Sequence, residues 1–332
     1  MSANKPIKII TNNEIMHSII KKVDRIVKSD SSVLLVGETG VGKEVFAEYI
    51  HRNSLRKDNS FVKIGLSALP EDLLGSELFG HERGSFTSAM TEKKGLFEIA
   101  NNGSMFLDDI DDVPMSIQTK LLRVLESGEL MRIGSTYAIP IDVRLITASK
   151  VDLKILIEHG KFRSDLFYRI NVVPIIIPPL RERRDDIPLL AQHFLNIYAS
   201  DKEMVITPMA LRAMMSYNWP GNVRELRNLI QRLCLFKEKE ITPHDLPTEI
   251  RLEDPEELIV KACDRCFLEK NMSFDHVVAC LERNLLREAL RRSDGNQTNA
   301  AKSLNMSLST FRDKVKKHNP LGATSHCTEG HD

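Results

Sequence analysis

Five short apolar runs punctuate the first half of the chain: SVLLVG (32–37), FVKIGL (61–66), SMFLDD (104–109), VRLITA (143–148) and VVPIII (172–177), each separated from the next by stretches of helical periodicity. Near-continuous apolar runs of this length, alternating with helices, predict parallel strands buried on both faces. The fold class over 13–178 is therefore α/β, a parallel sheet flanked by helices, with ligands expected at the carboxyl ends of its strands. Pro178-Pro179 ends the alternation. From 185 to 247 the pattern is helical only, as in IPLLAQHFLNIYAS and VRELRNLIQRLCLF, which predicts a helical lid subdomain over 179–247.

A third unit follows a charged, aperiodic segment at 248–274 that contains Pro255 and reads as a linker. Helical periodicity from Asp275 to Arg292 breaks at Ser293-Asp294-Gly295-Asn296, and two short helices, 297–304 and 308–318, flank Asn305-Met306-Ser307. That spacing predicts an all-α helix-turn-helix domain over 275–318, leaving tails at 1–12 and 319–332. A chain of 332 residues suits two or three domains.

Charge changes the picture only locally. The 46 basic and 46 acidic residues cancel, so no global field draws the chain to nucleic acid or membrane. Within 281–318, however, Arg283, Arg287, Arg291, Arg292, Lys302, Arg312, Lys314, Lys316 and Lys317 face only Glu282, Glu288, Asp294 and Asp313. This local excess points to double-stranded DNA. The five cysteines are odd in number and the start MSANKPIKIITNN lacks a signal-peptide core, so reduced thiols and a cytoplasmic location are expected. No apolar run reaches the ~18–20 residues of a membrane span.

Chemistry enters at Gly37-Glu38-Thr39-Gly40-Val41-Gly42-Lys43-Glu44, where an apolar strand runs into a glycine-spaced loop and then a helix. Glycines let successive backbone N–H groups wrap a phosphate at a helix N-terminus, and Lys43 supplies a point charge to the outer phosphates. This is a P-loop, and ATP is the expected cofactor. Glu44 stands where a Ser/Thr ligand of Mg²⁺ is usual. About 65 residues on, a strand delivers Asp108 and Asp109; Asp108 is the candidate to hold Mg²⁺ through water and Asp109 to orient or deprotonate the attacking water.

The runs SELFGHERGSFTSA (76–89), FRSDLFYRINVVPI (162–175), PPLRERRDDI (178–187) and YNWPGNVRELRN (217–228) resemble the central domain of bacterial enhancer-binding proteins, AAA+ activators of sigma-54 RNA polymerase. The resemblance covers about residues 13–318, and CLERNLLREALRRSDGNQTNAAKSLNMSLSTFRDKVKKHN (280–319) resembles their Fis-type helix-turn-helix. It implies a AAA+ ATPase that binds upstream DNA, forms a dimer and then a hexamer ring, and remodels sigma-54 polymerase. It also implies that Arg163 and Arg169 act as arginine fingers in a neighbour's site, where a guanidinium stabilises charge on the transferring phosphoryl group. Arg224 becomes the γ-phosphate sensor in cis, and Gly84-Ser85-Phe86-Thr87-Ser88-Ala89 the sigma-54 contact loop. On the last module, Ser307 caps the recognition helix, Leu308, Ser309 and Arg312 face base edges, Thr310 belongs to the same DNA-binding surface, and Lys314, Lys316 and Lys317 meet phosphates.

Several positions depart from the family pattern. Ser88 replaces the loop's second glycine, Asp109 a glutamate, and Gly65 an asparagine that normally restrains that glutamate. Ser149-Lys150 stand where a Thr/Asn sensor pair is common, leaving Ser149 as the candidate sensor. These changes suggest slow or retuned hydrolysis, and they motivate an alternative reading: a nucleotide-switched DNA-binding regulator acting without sigma-54, at a sigma-70 promoter or as a repressor. A AAA+ remodeller of a non-transcriptional target is a third. With only about a dozen residues ahead of the motor, control is expected from a regulatory protein acting in trans or from abundance. Cys263, Cys266, His276 and Cys280 could ligate zinc, but their spacing matches no zinc motif, and idle or buried thiols are the simpler reading.

Overall fold

The computed structural model describes residues 8–85, 91–200, 203–237, 239–251 and 273–318. The chain divides into two compact units, Met1–Leu252 and Glu253–Asp332, each described here by itself.

The first unit is built on a five-stranded parallel sheet of β1 (Val33–Val36), β2 (Phe61–Gly65), β3 (Ser104–Asp108), β4 (Arg144–Ser149) and β5 (Val173–Ile176), in the order β2-β3-β4-β1-β5. The expected strands all form. Side chains alternate faces along a strand, and the two cores follow that alternation. Leu34, Met105, Leu107 and Leu145 join the core beneath α3 (Glu71–Phe79), α4 (Met115–Ser127) and α5 (Ser164–Ile170). Val33, Leu35, Phe106, Ile146 and Ala148 join the opposite one with α1 (Glu14–Ile26) and α2 (Lys43–Arg52). This two-sided burial is why the runs are continuous rather than alternating in hydrophobicity.

After Pro178-Pro179 the chain forms α6 (Asp186–Tyr198), α7 (Pro208–Ser216) and α8 (Asn222–Phe236) around a separate core. Thr207 caps α7 with Pro208 in its first turn, where the missing N–H costs nothing. Trp219, fully buried, donates its indole N–H to Met214 O at 2.8 Å and belongs to this core. Ile250 still packs there, three residues beyond 247.

In the second unit α9 (Phe274–Arg292), α10 (Gln297–Ser303) and α11 (Leu308–His318) enclose Leu286, Ala289, Leu290, Ala300, Ala301 and Phe311. The paired alanines are at most 1% exposed, which lets the helices approach closely. Asn305 takes the left-handed turn (φ 53°) between α10 and α11, a conformation asparagine tolerates better than most residues.

Candidate nucleotide and DNA sites

The P-loop joins β1 to α2 through two left-handed glycines, Gly40 (φ 81°) and Gly42 (φ 108°). Its start is fixed by Gly37 N–H donating to Ser149 O at 3.1 Å, which ties it to the end of β4. The Lys43 ammonium folds back into the loop, donating to Gly37 O at 2.7 Å and Glu38 O at 3.3 Å. Burial pushes its pKa down, and Asp108, Asp109 and Asp111 oppose that shift.

The lid is clasped onto this loop. Val223 and Arg224 N–H both donate to Gly40 O, at 3.0 and 3.3 Å, and a Cβ at Gly40 would come within 2.4 Å of Gly221 O. Gly40 is therefore required for both its positive φ and this close approach. Buried Asn222 donates to Glu38 Oε2 and Thr39 O at 3.1 Å each, and its own Oδ1 accepts Leu180 N–H at 2.8 Å. Arg181 grips Glu38 with two bonds of 2.8 and 2.6 Å, holding that carboxyl down to about 2 with help from Asn222. From the loop's other side, buried Arg183 donates to Val41 O at 2.7 Å and lies 3.7 Å from Asp186, which in turn accepts from Thr11 and Asn12. Arg224 is exposed and lines a cavity of about 660 Å³ with Thr39, Gly221 and Asn228.

At the end of β3, burial and the neighbouring charge of Asp109 push the Asp108 carboxyl up. Asp109 has a left-handed backbone (φ 56°) and its Oδ2 accepts the Ser67 hydroxyl at 2.7 Å. Glu44 points to Lys63 at 3.1 Å. Ser149, the candidate sensor, is fully buried, donates its hydroxyl to Val151 O at 2.6 Å and accepts Val151 N–H at 3.2 Å. Its hydroxyl thus closes a local turn. Lys150 reaches the acids instead, 2.6 Å from Asp112 and 3.5 Å from Asp111.

Arg163 and Arg169 lie on α5 or immediately before it, with no P-loop residue among their partners. Arg163 forms a two-bond pair with Asp165 at 3.0 and 2.7 Å, and Arg169 donates twice to Leu125 O at 3.0 and 2.5 Å. Of the contact loop, Gly84 has a left-handed backbone (φ 80°) and Ser85 is seated against Gly134, while Phe86, Thr87, Ser88 and Ala89 lie outside the described residues. Below it Glu82 N–H bonds Ile133 O at 3.0 Å and Arg132 pairs with Glu82 and Glu98.

On α11, Ser307 caps the helix by accepting Thr310 N–H at 3.1 Å. Ser309, Thr310, Arg312, Lys316 and Lys317 are exposed. Leu308, expected at a base edge, packs against the core because it lies three residues from buried Phe311 on one helical face. Lys314, expected at phosphate, forms an ion pair with Glu282 of α9. Of the zinc candidates, Cys263 and Cys266 fall outside the described residues, and no group of three or more metal-ligating side chains occurs among the described ones.

Three features lay beyond the sequence reading: the Asn222–Glu38–Arg181 clasp, the Arg183 bond to Val41 O and the Ser67–Asp109 bond. Each joins residues far apart in the chain, so local pattern carries no signal for it.

A P-loop with an acidic strand end and a clasped helical lid defines a AAA+ ATPase, here carried with a helix-turn-helix module. Comparison with known proteins gives the family. Residues 9–176 match the sigma-54 interaction domain, 181–259 the AAA+ ATPase lid domain, and 278–318 the Fis family of bacterial regulatory proteins. The chain is 42% identical to the regulatory protein AtoC of Escherichia coli K12, over 93% of this chain and 67% of AtoC. It is 39% identical to the transcriptional regulator NtrC of Rhizobium meliloti, over 93% and 69%. The activator HyfR of Escherichia coli K12 is 50% identical, over 69% of this chain and 34% of HyfR. NtrX from Brucella abortus in complex with ATP superposes with a TM-score of 0.68 at 30% identity, covering 95% of this chain and 69% of that one. The chain belongs to the sigma-54-dependent, DNA-binding transcriptional activators and is a AAA+ ATPase of that family. Among the described residues no helix is long and apolar enough to cross a membrane.

Proposed function

We propose that the protein assembles into a ring, binds upstream double-stranded DNA through α11, and uses ATP hydrolysis to remodel promoter-bound sigma-54 polymerase into the open complex. The observation that carries this reading is the division of the ATP chemistry. The P-loop, its clasped lid and the acid pair lie together, while Arg163 and Arg169 sit on α5 with partners outside the loop. Arginines supplied by a neighbouring subunit make hydrolysis depend on assembly.

Asp108 suits a Mg²⁺ that enters with ATP. Its half-buried carboxyl is a hard oxygen donor whose charge acts on the P-loop lysine, and Mg²⁺ typically takes one or two carboxylates plus substrate phosphates rather than an all-protein cage. When bound, the ion neutralises phosphate charge. Lys43 holds the outer phosphates, Asp109 orients the attacking water and accepts its proton, and Arg224 reads the γ-phosphate from the lid. The Gly84–Ala89 loop engages sigma-54. Cytoplasmic location and control by a regulatory protein in trans accompany this reading.

The test is open-complex formation on a sigma-54 promoter with purified polymerase. Melting with ATP, its loss with a non-hydrolysable analogue and its loss in Lys43→Ala are expected, with turnover falling to background. A wild-type rate equal to that of Lys43→Ala at saturating ATP refutes the motor. Turnover without melting favours the nucleotide-switched regulator.

A further inference from the structure

The backbone at Asp109 adopts a left-handed conformation that an aspartate takes only when its surroundings hold it (φ 56°, ψ 45°). Its backbone is held by Asp109 N–H donating to Asp108 Oδ1 and by Asp112 N–H donating to Asp109 O, both at 3.0 Å, and its carboxylate by Ser67 Oγ, which donates to Oδ2 at 2.7 Å. The topology explains why that serine is within reach. Strands β2 and β3 run parallel with Gly65 opposite Asp108, so the turn after β2 (Leu66–Ala68) lies beside the turn after β3. Gly65 has an extended backbone, and a Cβ built there meets no heavy atom within 4 Å. The position has room for a side chain and supplies none, so the donor comes from two residues further on.

We infer that Ser67 is the positioning residue for hydrolysis: its hydroxyl holds Asp109 Oδ2 and leaves Oδ1 to face the attacking water. The inference rests on the ATPase reading of this site. In the step it serves, the water oxygen bonds to the γ-phosphorus while the bond from that phosphorus to the β–γ bridging oxygen breaks, its electron pair leaving with ADP. One water proton passes to Asp109 Oδ1 and then to solvent. A carboxylate one methylene shorter than glutamate depends strongly on such restraint, because displacements of ~1 Å can cost ~10²-fold in rate.

Ser67 is exposed, so its hydroxyl can be removed without opening the core. The experiment measures ATP turnover against ATP concentration, and affinity for a fluorescent ADP, in the full chain as wild type, Ser67→Ala and Ser67→Thr. The expected result is that kcat falls about tenfold in Ser67→Ala, the scale of one hydrogen bond to a charged group. KM and ADP affinity stay within about twofold, and Ser67→Thr recovers most of the rate because it restores the hydroxyl. An unchanged kcat in Ser67→Ala, a raised KM at constant kcat, or a Ser67→Thr no better than Ser67→Ala overturns the inference while leaving the ATPase intact. A wild type no faster than Lys43→Ala removes the step itself, and is recognised because it appears before any Ser67 variant is compared.

Discussion

In the proposed mechanism the P-loop cleft and the α5 surface supply two kinds of charge to ATP hydrolysis, and the structure holds them differently. In the cleft, buried side chains tie the loop: Lys43 donates to Gly37 O within it, and from further along the chain Asn222 donates to Glu38 and Thr39 and Arg183 to Val41 O. At α5 the arginines are more open: Arg163, just before the helix, is partly exposed and pairs with an aspartate two residues away, and exposed Arg169 holds only the Leu125 carbonyl of α4. Tyr168 beside them is 76% exposed. A buried network fixes geometry at the cost of tolerating few changes, whereas an exposed ion pair is worth little and exchanges partners readily. On the proposed mechanism, the cleft would hold a nucleotide before a neighbour arrives and the α5 face would be recruited by one.

The largest expected effect breaks this division at its exposed side. Arg163→Ala and Arg169→Ala each lower ATP turnover by about 10³, the scale of an arginine finger, while ATP affinity stays near wild type. Neither side chain bonds the P-loop, so nucleotide binding should be retained, and Arg169→Ala gives up only its bonds to Leu125 O. The sharper measurement is complementation: Arg163→Ala subunits mixed with Lys43→Ala subunits regain turnover, since one supplies an intact P-loop and the other an intact finger. No recovery across all mixing ratios would place the arginines in their own subunit's site.

A smaller effect tests the cleft. Asn222→Ala removes the donor to Glu38 and Thr39 and leaves buried Leu180 N–H without its acceptor. Loss of such a buried partner costs about 1–3 kcal/mol. ATP affinity should fall about tenfold or more, with kcat at saturation reduced far less than in the arginine variants. Nucleotide titration and turnover in the same preparation check this. Equal losses in kcat and affinity would mean that the clasp and the finger face are not separable.

Much of this was legible in the sequence, for reasons specific to each part. The five strands were readable because burial on both faces writes itself as continuous apolar runs, and the P-loop because its glycines and lysine must be consecutive. The lid's helices were readable from their periodicity, but the helical-only reading of 185–247 missed a strand pair, Val205–Ile206 with Glu240–Ile241, too short to write a pattern; Ile250 is likewise a single anchor in an irregular segment. Long-range polar partners stayed hidden. Nothing in VKIGLSAL announces that Ser67 reaches Asp109, and nothing in DKVKKH distinguishes Lys314 from Lys316. Ser149 shows the converse, since a polar residue at the right strand end has its hydroxyl tied to Val151.

The smallest effect carries the same contrast between committed and exposed charge into α11. Lys314 is paired with Glu282, whose carboxyl it holds below the ordinary range, whereas Lys316 is exposed two residues on. A depressed carboxyl contributes stability above its unfolded pKa and loses it only as pH falls through the lowered value, so this pair persists at neutral pH. Lys316 is therefore available to DNA phosphate at pH 7 and Lys314 is not. In salt titrations of DNA binding, Lys316→Ala should reduce the slope of log K against log salt by about 0.9 per chain. Lys314→Ala should leave the slope nearly unchanged and lower the module's stability by roughly 0–1 kcal/mol, the range for a partly exposed pair. Equal slopes for the two variants would show that the Glu282 pair opens on DNA, and that α11, like α5, exchanges an internal partner for an external one.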